Sequence, residues 1–480
     1  MENLYYEVAL PLPLRNSFTY SSNIKISNGS RVQVPFRNRE IVGYVLKKQS
    51  SPNVKSIKPI TKVLDRNSLI DKPSYDLIHW IANYYKAPIG EIFKSYFPPF
   101  LRKGKEIKDS IEVYAITNLG KLASKESFGR AKKQFEALEV FQNQLELSRP
   151  GLKANKISKA ILDALISKGY LEIKSLNRNE LKTNKELNPE AFFELNVEQN
   201  KIYKSIKNSS TNLKHLIFGV TGSGKTEIYF HLIRDFLEKG KQVLILVPEI
   251  GLTPNLKAEI ERRFGEDNVA LLHSEMSEKD RAHAWNDINK GFKSILIGTR
   301  SAIFTPFKDL GLIVVDEEHD SSYKQIDGFR YSARDVAVYR ANLQKIPVIM
   351  CSATPSLESL KNCQDEKYCL HKLTQRVKDA RQPKFEISDL RSSELKSGLT
   401  EYSLNEISKE LSKDNQVLVF LNKKGYAPMI FCNKCGWTPE CSNCDVSMVY
   451  HINPKRLVCH HCGTKPVSYT HLTLPTKLAV

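Results

Sequence analysis

The chain has 480 residues, enough for three or four domains, and its 41% hydrophobic and 26% charged content excludes a mainly disordered protein. Lysine and arginine exceed aspartate and glutamate by 72 − 53 = 19. That excess is the footprint of a protein that meets polyphosphate, although a solvated basic surface would carry it too. The N-terminus has no cationic start followed by an apolar core, and the longest apolar runs, such as Val243–Val247 and Leu312–Val315, are too short to cross a bilayer. A cytoplasmic protein with no membrane contact is expected.

Residues 1–100 read as short strands: Arg31–Pro35 and Ile41–Leu46 cluster β-formers, Asn28-Gly29 marks a turn, and a one-sided apolar pattern over Tyr75–Tyr85 predicts a helix. Residues 101–190 turn lysine-rich, with helical patterns at Gln134–Leu147 and Ile157–Lys168; the second stops at Gly169, ahead of a strand at Tyr170–Ile173. Helix, turn, helix and strand fit a winged-helix module, and a plain helical linker nearly as well. From residue 191 the texture is α/β: Leu216–Gly219, Val243–Val247, Ser294–Ile297, Leu312–Val315 and Val348–Cys351 are short strands alternating with helical stretches. Such alternation predicts a doubly wound, mostly parallel sheet. Asp389–Lys413 reads as a connector and a helix, and Gln416–Leu421 as a renewed buried strand.

The sharpest motif is Gly219-Val220-Thr221-Gly222-Ser223-Gly224-Lys225-Thr226, a phosphate loop lying directly after a strand and before the helical stretch Glu227–Leu237. Its backbone N–H groups can surround phosphate oxygens, Lys225 can reach the β- and γ-phosphates of ATP, and the Thr226 hydroxyl can hold Mg²⁺. A chance glycine turn with a solvated lysine is the plainer alternative. The second half of such a site is Asp316-Glu317-Glu318-His319, at the end of the apolar run Leu312–Val315. At the carboxyl tip of a parallel strand, Asp316 would hold Mg²⁺ through water, and Glu317 would orient and deprotonate an attacking water. Read alone, those four residues could be a solvated acidic turn.

Two further clusters stand out. Residues 321–335 interleave Tyr323, Phe329 and Tyr331 with Lys324, Arg330 and Arg334. Rings can stack bases while cations grip phosphates, or the rings can simply pack beneath a loop. Six of nine cysteines (Cys432, Cys435, Cys441, Cys444, Cys459 and Cys462) form three C-x-x-C pairs, a pattern for Zn²⁺ rather than for a redox couple, which needs one pair. Cys351, Cys363 and Cys369 are scattered and read as buried apolar groups.

The motifs GVTGSGKT, VPEIGLTP (247–254), IGTRSA (297–302), DEEH (316–319) and SATPS (352–356) stand in the order of superfamily 2 helicase motifs. With FTPF (304–307) and DEEHDSSYKQ (316–325), the chain resembles the primosomal protein N′ family of replication-restart helicases. The likeness runs from VALPLPLRNSFTY near the start to CHHCG at 459–463. It implies a small β-rich domain at 1–100 that captures a DNA 3′ end, a winged helix at 101–190, a RecA-like lobe at 191–395, the start of a second lobe at 396–430, and a cysteine-rich zinc region at 431–463.

It also implies an ATP-dependent 3′→5′ DNA helicase, an ATP hydrolase using Mg²⁺, acting as a monomer on forked and single-stranded DNA with primosome proteins and single-strand-binding protein as partners. The family's 3′-end pocket uses Phe, Asp, Gly and Lys; Phe18 and Lys58 match, whereas Thr19 and Arg37 replace the Asp and the Gly. The resemblance gives Arg300 a place facing the DNA strand, and has His319 and Thr354 link nucleotide to DNA. The aromatic loop, with Tyr323, Lys324, Phe329, Arg330 and Tyr331, would couple DNA contact to ATP turnover.

The family binds two zinc ions with four pairs, so Cys441, Cys444, Cys459 and Cys462 would close one site, with Cys432 and Cys435 belonging to the other. Residues 464–480, ending SYTHLTLPTKLAV, resemble nothing in the family and read as a foreign or read-through tail. The second lobe's arginine, worth roughly 10³- to 10⁵-fold in related hydrolases, would then be missing, and this chain is expected to turn over ATP very slowly. Two other readings remain: a different superfamily 2 fork-remodelling helicase, and a fork-binding assembly platform that does not use ATP.

Overall fold

The computed structural model describes residues 3–50, 56–65, 67–107, 110–129, 131–148, 151–152, 155–177, 188, 191–211, 213–248, 254–377, 384–388, 395–396, 398–420, 437–452 and 455–465. Two units divide the chain, 1–381 and 382–480.

The first unit begins with a six-stranded sheet built from β1 (Leu4–Ala9), β2 (Phe18–Ser22), β3 (Arg31–Phe36), β4 (Arg39–Gln49), β5 (Lys58–Pro59) and β6 (Lys62–Val63), in the order β5-β2-β1-β4-β3-β6. All its pairings are antiparallel except β2 with β5. One face closes over Tyr6, Val8, Tyr20, Val32, Val34 and Val45. A buried, bidentate Arg31–Asp65 pair (2.7 and 2.9 Å) is tied to the following helices, since the Arg31 guanidinium also donates to the Leu101 carbonyl at 2.6 Å. Those helices, Lys72–Tyr84, Ile89–Tyr96 and Pro99–Arg102, carry apolar faces. Gly90 lets the second of them sit on the strand backbone: a Cβ there would lie 1.7 Å from the Leu10 carbonyl oxygen.

Residues 110–177 form a smaller body. Its sheet of β7 (Ser110–Ile116), β8 (Glu146–Ser148) and β9 (Leu171–Asn177), ordered β8-β7-β9, backs helices Lys132–Gln144 and Lys159–Ser167 around Leu138, Phe141, Leu162 and Leu165. The helix expected to reach Leu147 stops at Gln144, because Leu145 takes a left-handed φ of 61° and β8 begins.

The large sheet of the first unit comprises β10 (Lys214–Gly219), β11 (Gln242–Leu246), β12 (Val269–Leu272), β13 (Ile295–Gly298), β14 (Leu310–Val315), β17 (Val348–Ser352) and β18 (Cys369–Leu373); β15 (Lys324–Gln325) and β16 (Tyr331–Ser332) make a separate hairpin. The order is β12-β13-β11-β14-β17-β10-β18 and every pairing is parallel. The near-continuous Val, Ile and Leu of β11, β14 and β17 follow from burial on both faces. One face packs on helix Lys225–Glu238; the other shares its core with the helices of residues 72–102. The helices of residues 72–102 thus pack against this lobe: Trp80 stacks on Tyr339 at 3.6 Å, and the Trp285 indole N–H donates to the Tyr96 carbonyl at 2.9 Å.

In the second unit, helix Glu401–Leu411 forms as expected, within the connector-and-helix stretch. The strand expected over Gln416–Leu421 does not: residues 416–420 carry no pairing, and Leu418 and Phe420 are 93% and 80% exposed. An apolar run becomes a strand only beside a hydrogen-bonding neighbour, and none of the described residues supplies one. Two hairpins follow, β19 (Glu440–Cys441) with β20 (Cys444–Ser447) and β21 (Val449–Ile452) with β22 (Lys455–Val458).

Candidate functional site

Parallel pairing brings every strand's carboxyl end to one edge, so the loop after β10 and the acids after β14 flank the Ser352-Ala353-Thr354 turn after β17. The loop is shaped by Gly224, whose φ of 77° starts helix Lys225–Glu238; a Cβ there would also strike the Gln199 amide nitrogen at 2.2 Å. Gln199 donates to the Ser223 carbonyl at 3.0 Å and is itself held by a capping box with Asn196. Asn196-x-x-Gln199 is a capping pattern readable in the sequence, but it announces only a helix start; the Gln199 contact with the phosphate loop exists only in the fold.

Lys225 is 8% exposed and its ammonium donates to the Gly219 carbonyl at 2.8 Å, a buried cation with a neutral acceptor at the N-terminus of helix Lys225–Glu238. That arrangement suits a polyphosphate anion. Across the edge, burial and then the neighbouring Glu317 charge raise the pKa of Asp316, a shift that a bound cation would oppose. Tyr229, one turn beyond Lys225, bridges the two halves. Its hydroxyl donates to Asp316 Oδ2 at 3.2 Å. Thr226 and Asp316 offer side-chain oxygens that could hold a magnesium ion, and the backbone of Gly219 through Thr226 could surround phosphates.

The three acids after β14 have different surroundings. The Glu317 N–H donates to Asp316 Oδ1 at 3.1 Å. Glu317 itself sits at φ 45°, a left-handed conformation that costs a β-substituted residue of order 1 kcal/mol or more and that leaves its side chain 42% exposed. Glu318 turns inward: it accepts from the Ser356 N–H at 2.7 Å, the Ser356 and Ser359 hydroxyls at 3.0 and 2.9 Å, and Arg334 at 3.1 Å. His319 Nδ1 lies 2.7 Å from the Ser352 hydroxyl and 3.5 Å from Glu317, joining the acid turn to the β17 turn.

Arg300 donates to the carbonyls of Ser322 and Lys324, both at 3.2 Å, and so grips the aromatic loop. Lys324 and Arg330 are exposed, but the rings are not: Tyr323, Phe329 and Tyr331 are 2%, 5% and 4% exposed. Phe329 and Tyr331 stack at 4.9 Å on a floor that includes Phe304, and the Tyr323 hydroxyl faces the Leu246 and Asp316 carbonyls at 3.0 and 2.5 Å. In this conformation the rings offer no open face to a base, because their hydrophobic area finds a partner in the core.

In the β-rich sheet Phe18 packs edge-on against Phe36 at 5.1 Å, with the Arg37 guanidinium 5.7 Å from the Phe36 ring. Lys58 is exposed on β5, paired opposite Tyr20 two residues along β2 from Phe18. The two residues thus occupy neighbouring strands.

In the second unit the sulfurs of Cys441, Cys444, Cys459 and Cys462 lie within 4.8 Å of one another. A tetrahedral ion with Zn–S near 2.3 Å separates its ligand sulfurs by about 3.8 Å, and the Cys441–Cys462 separation is 3.5 Å. Crowding beside Cys462 pushes the Cys444 thiol up to about 12, while bonds from Thr464 bring Cys462 down to about 6. Met448, Tyr450 and Leu457 pack with them. Cys432 and Cys435, like residues 466–480, lie outside the described residues.

A parallel sheet with a phosphate loop and an Asp-Glu tip on the strand ends either side of β17 defines a nucleotide-binding RecA-like lobe, the motor type of superfamily 2 helicases. Residues 197–363 match the DEAD/DEAH box helicase family, 7–98 the 3′DNA-binding domain (3′BD), and 441–465 the PriA DNA helicase Cys-rich region (CRR) domain. The replication restart protein PriA of Haemophilus influenzae is 39% identical over 470 residues, 95% of this chain and 64% of its own. That of Chlamydia pneumoniae is 34% identical over 488 residues, 96% and 64%. That of Bacillus subtilis is 39% identical over 330 residues, 66% and 40%. The chain belongs to the PriA family of replication restart helicases, and it spans about 64% of the length of the first two relatives.

Proposed function

We propose that this chain is the nucleotide- and DNA-binding part of a replication-restart helicase, which hydrolyses Mg-ATP to unwind forked DNA in the 3′→5′ direction in the cytoplasm. The observation that carries the reading is the Tyr229–Asp316 hydrogen bond, which ties the helix that follows the phosphate loop to the acid tip. ATP supplies the phosphoryl group and Mg²⁺ the charge that lets it leave. Lys225 and the loop N–H groups hold the phosphates, Thr226 and Asp316 hold the metal, and Glu317 accepts the proton of the attacking water. His319 and Ser352 carry the state of that turn toward Thr354. Phe18 and Lys58 offer an apolar face and a cation for a terminal nucleotide in the β-rich domain, and Arg300, Lys324 and Arg330 offer cations to the strand. Two helices backed by the three-stranded sheet at 110–177 support a winged-helix reading of that body. Primosome proteins and single-strand-binding protein are the partners this reading implies.

Lys225→Ala tests it. Removing a charge-assisted phosphate contact worth about 1.5–3 kcal/mol should weaken binding of a fluorescent ATP analogue roughly 10- to 100-fold, with forked-DNA binding unchanged. If the substitution leaves nucleotide affinity unaltered, the chain is a fork-binding platform rather than a motor.

A further inference from the structure

Within residues 1–381, a cleft of about 290 Å³ shares no lining residue with the nucleotide site. One wall is the helical run Ile89–Arg102, with Lys94 and Arg102; another is helix Glu278–Lys290, with Arg281 and Trp285; the third includes the loop at Phe329. Among the lining residues three cations face one carboxylate, Glu91.

Two of those cations are held at a cost. Burial lowers the pKa of Arg102, and the positive charge of Arg281 lowers it further. Burial lowers Arg281 as well, and its Nε is buried without a hydrogen-bond acceptor. The Arg102 Nε is spent on the Phe97 carbonyl at 2.5 Å. Glu278, the acid whose charge reaches both, is already engaged by Lys103 at 2.9 and 2.7 Å. Two like charges brought together and desolvated are unfavourable until an anion completes them. The lining rings Trp285 and Phe329 are 2% and 5% exposed, so they offer little surface on which a base could stack.

We propose that the cleft binds a phosphodiester of single-stranded DNA, its phosphate between Arg102 and Arg281 with Lys94 at the rim, in a sequence-independent way. A strand fits better than a free anion, because exposed Lys94, Lys324 and Arg330 set further cations on the segments bounding the cleft. The proposal rests on the DNA-binding reading above, but it concerns a place distinct from the Phe18–Lys58 surface.

A circular single-stranded oligonucleotide has no 3′ end and so bypasses terminal capture. With the 480-residue chain and a fluorescein-labelled circle, Arg102→Gln with Arg281→Gln should weaken binding about tenfold or more and flatten the log Kd against log salt slope by about 1.4, two phosphate contacts at roughly 0.7 each. Lys94→Glu, an exposed rim change that cannot disturb the core, should weaken it about threefold to tenfold, and it decides the matter if the double variant does not fold. Wild-type affinity and salt slope in folded variants would overturn the proposal. So would competition by thymidine monophosphate or inorganic phosphate as effective, per phosphate, as the circle, which would make this a free-anion site. If the wild-type chain binds neither circular nor linear strand, the broader DNA-binding reading falls with it; if only the linear strand binds, the cleft proposal alone fails.

Discussion

Glu318 is the acid of the Asp316–His319 turn that never reaches the nucleotide edge. Its four donors come from three places, the N-terminus of helix Leu357–Gln364, that helix's first turn, and Arg334 at the start of helix Ala333–Gln344, so one carboxylate clamps the segments after β14, β16 and β17. Glu318→Gln keeps the shape but loses the charge that satisfies buried Arg334, and should cost about 2–4 kcal/mol in urea unfolding. A loss below about 0.5 kcal/mol would show that the clamp is not structural. Three adjacent acids look alike in a sequence. Which one faces the crevice depends on the left-handed turn at Glu317, which local propensity does not announce. Lys225 and Asp316 were legible because a phosphate loop constrains backbone and side chain together; Gln199 and Tyr229 were not, because each acts only across the fold.

At the level of elements, the helices of residues 72–102 behave as part of the motor lobe's core, with Trp285 as the pin. Trp285→Ala removes an aromatic side chain that is 2% exposed, together with its bond to Tyr96, and should cost about 3–5 kcal/mol. The exposed Lys103–Glu278 pair on the same interface is screened by solvent, so Glu278→Gln should leave the unfolding midpoint nearly unchanged at high salt, which salt-dependent unfolding would show. On the sheet edge, His215 and His371 approach to 3.1 Å across β10 and β18. Burial holds His215 at about 4, below its ordinary 6.5, so the folded chain keeps it neutral while the unfolded chain takes up a proton. Its contribution is present above pH 6.5 and is lost as pH falls toward about 4, on the order of 2–3 kcal/mol. His215→Gln should flatten the stability profile across that window; an unchanged profile would assign the acid sensitivity elsewhere.

For the molecule as a whole, the cysteine module carries little hydrophobic core of its own, so its metal is part of its folding free energy. Cys459→Ala should lower bound zinc by one ion per chain and expose the Tyr450 region to hydrogen exchange; unchanged zinc content would reject the four-sulfur site. Among the described residues no helix is long and apolar enough to cross a membrane, as the short apolar runs led one to expect. The sequence by itself determined the parallel α/β character, the phosphate loop, the acid tip and the cysteine set, because each is a short-range pattern whose spacing the chemistry dictates. Tertiary structure alone decided that the aromatic rings lie inside, that residues 72–102 share the lobe's core, and that 416–420 stay unpaired. Burial and strand pairing depend on neighbours distant in the chain, and an apolar or aromatic residue reads the same in sequence whether its partner is a base, a helix or nothing.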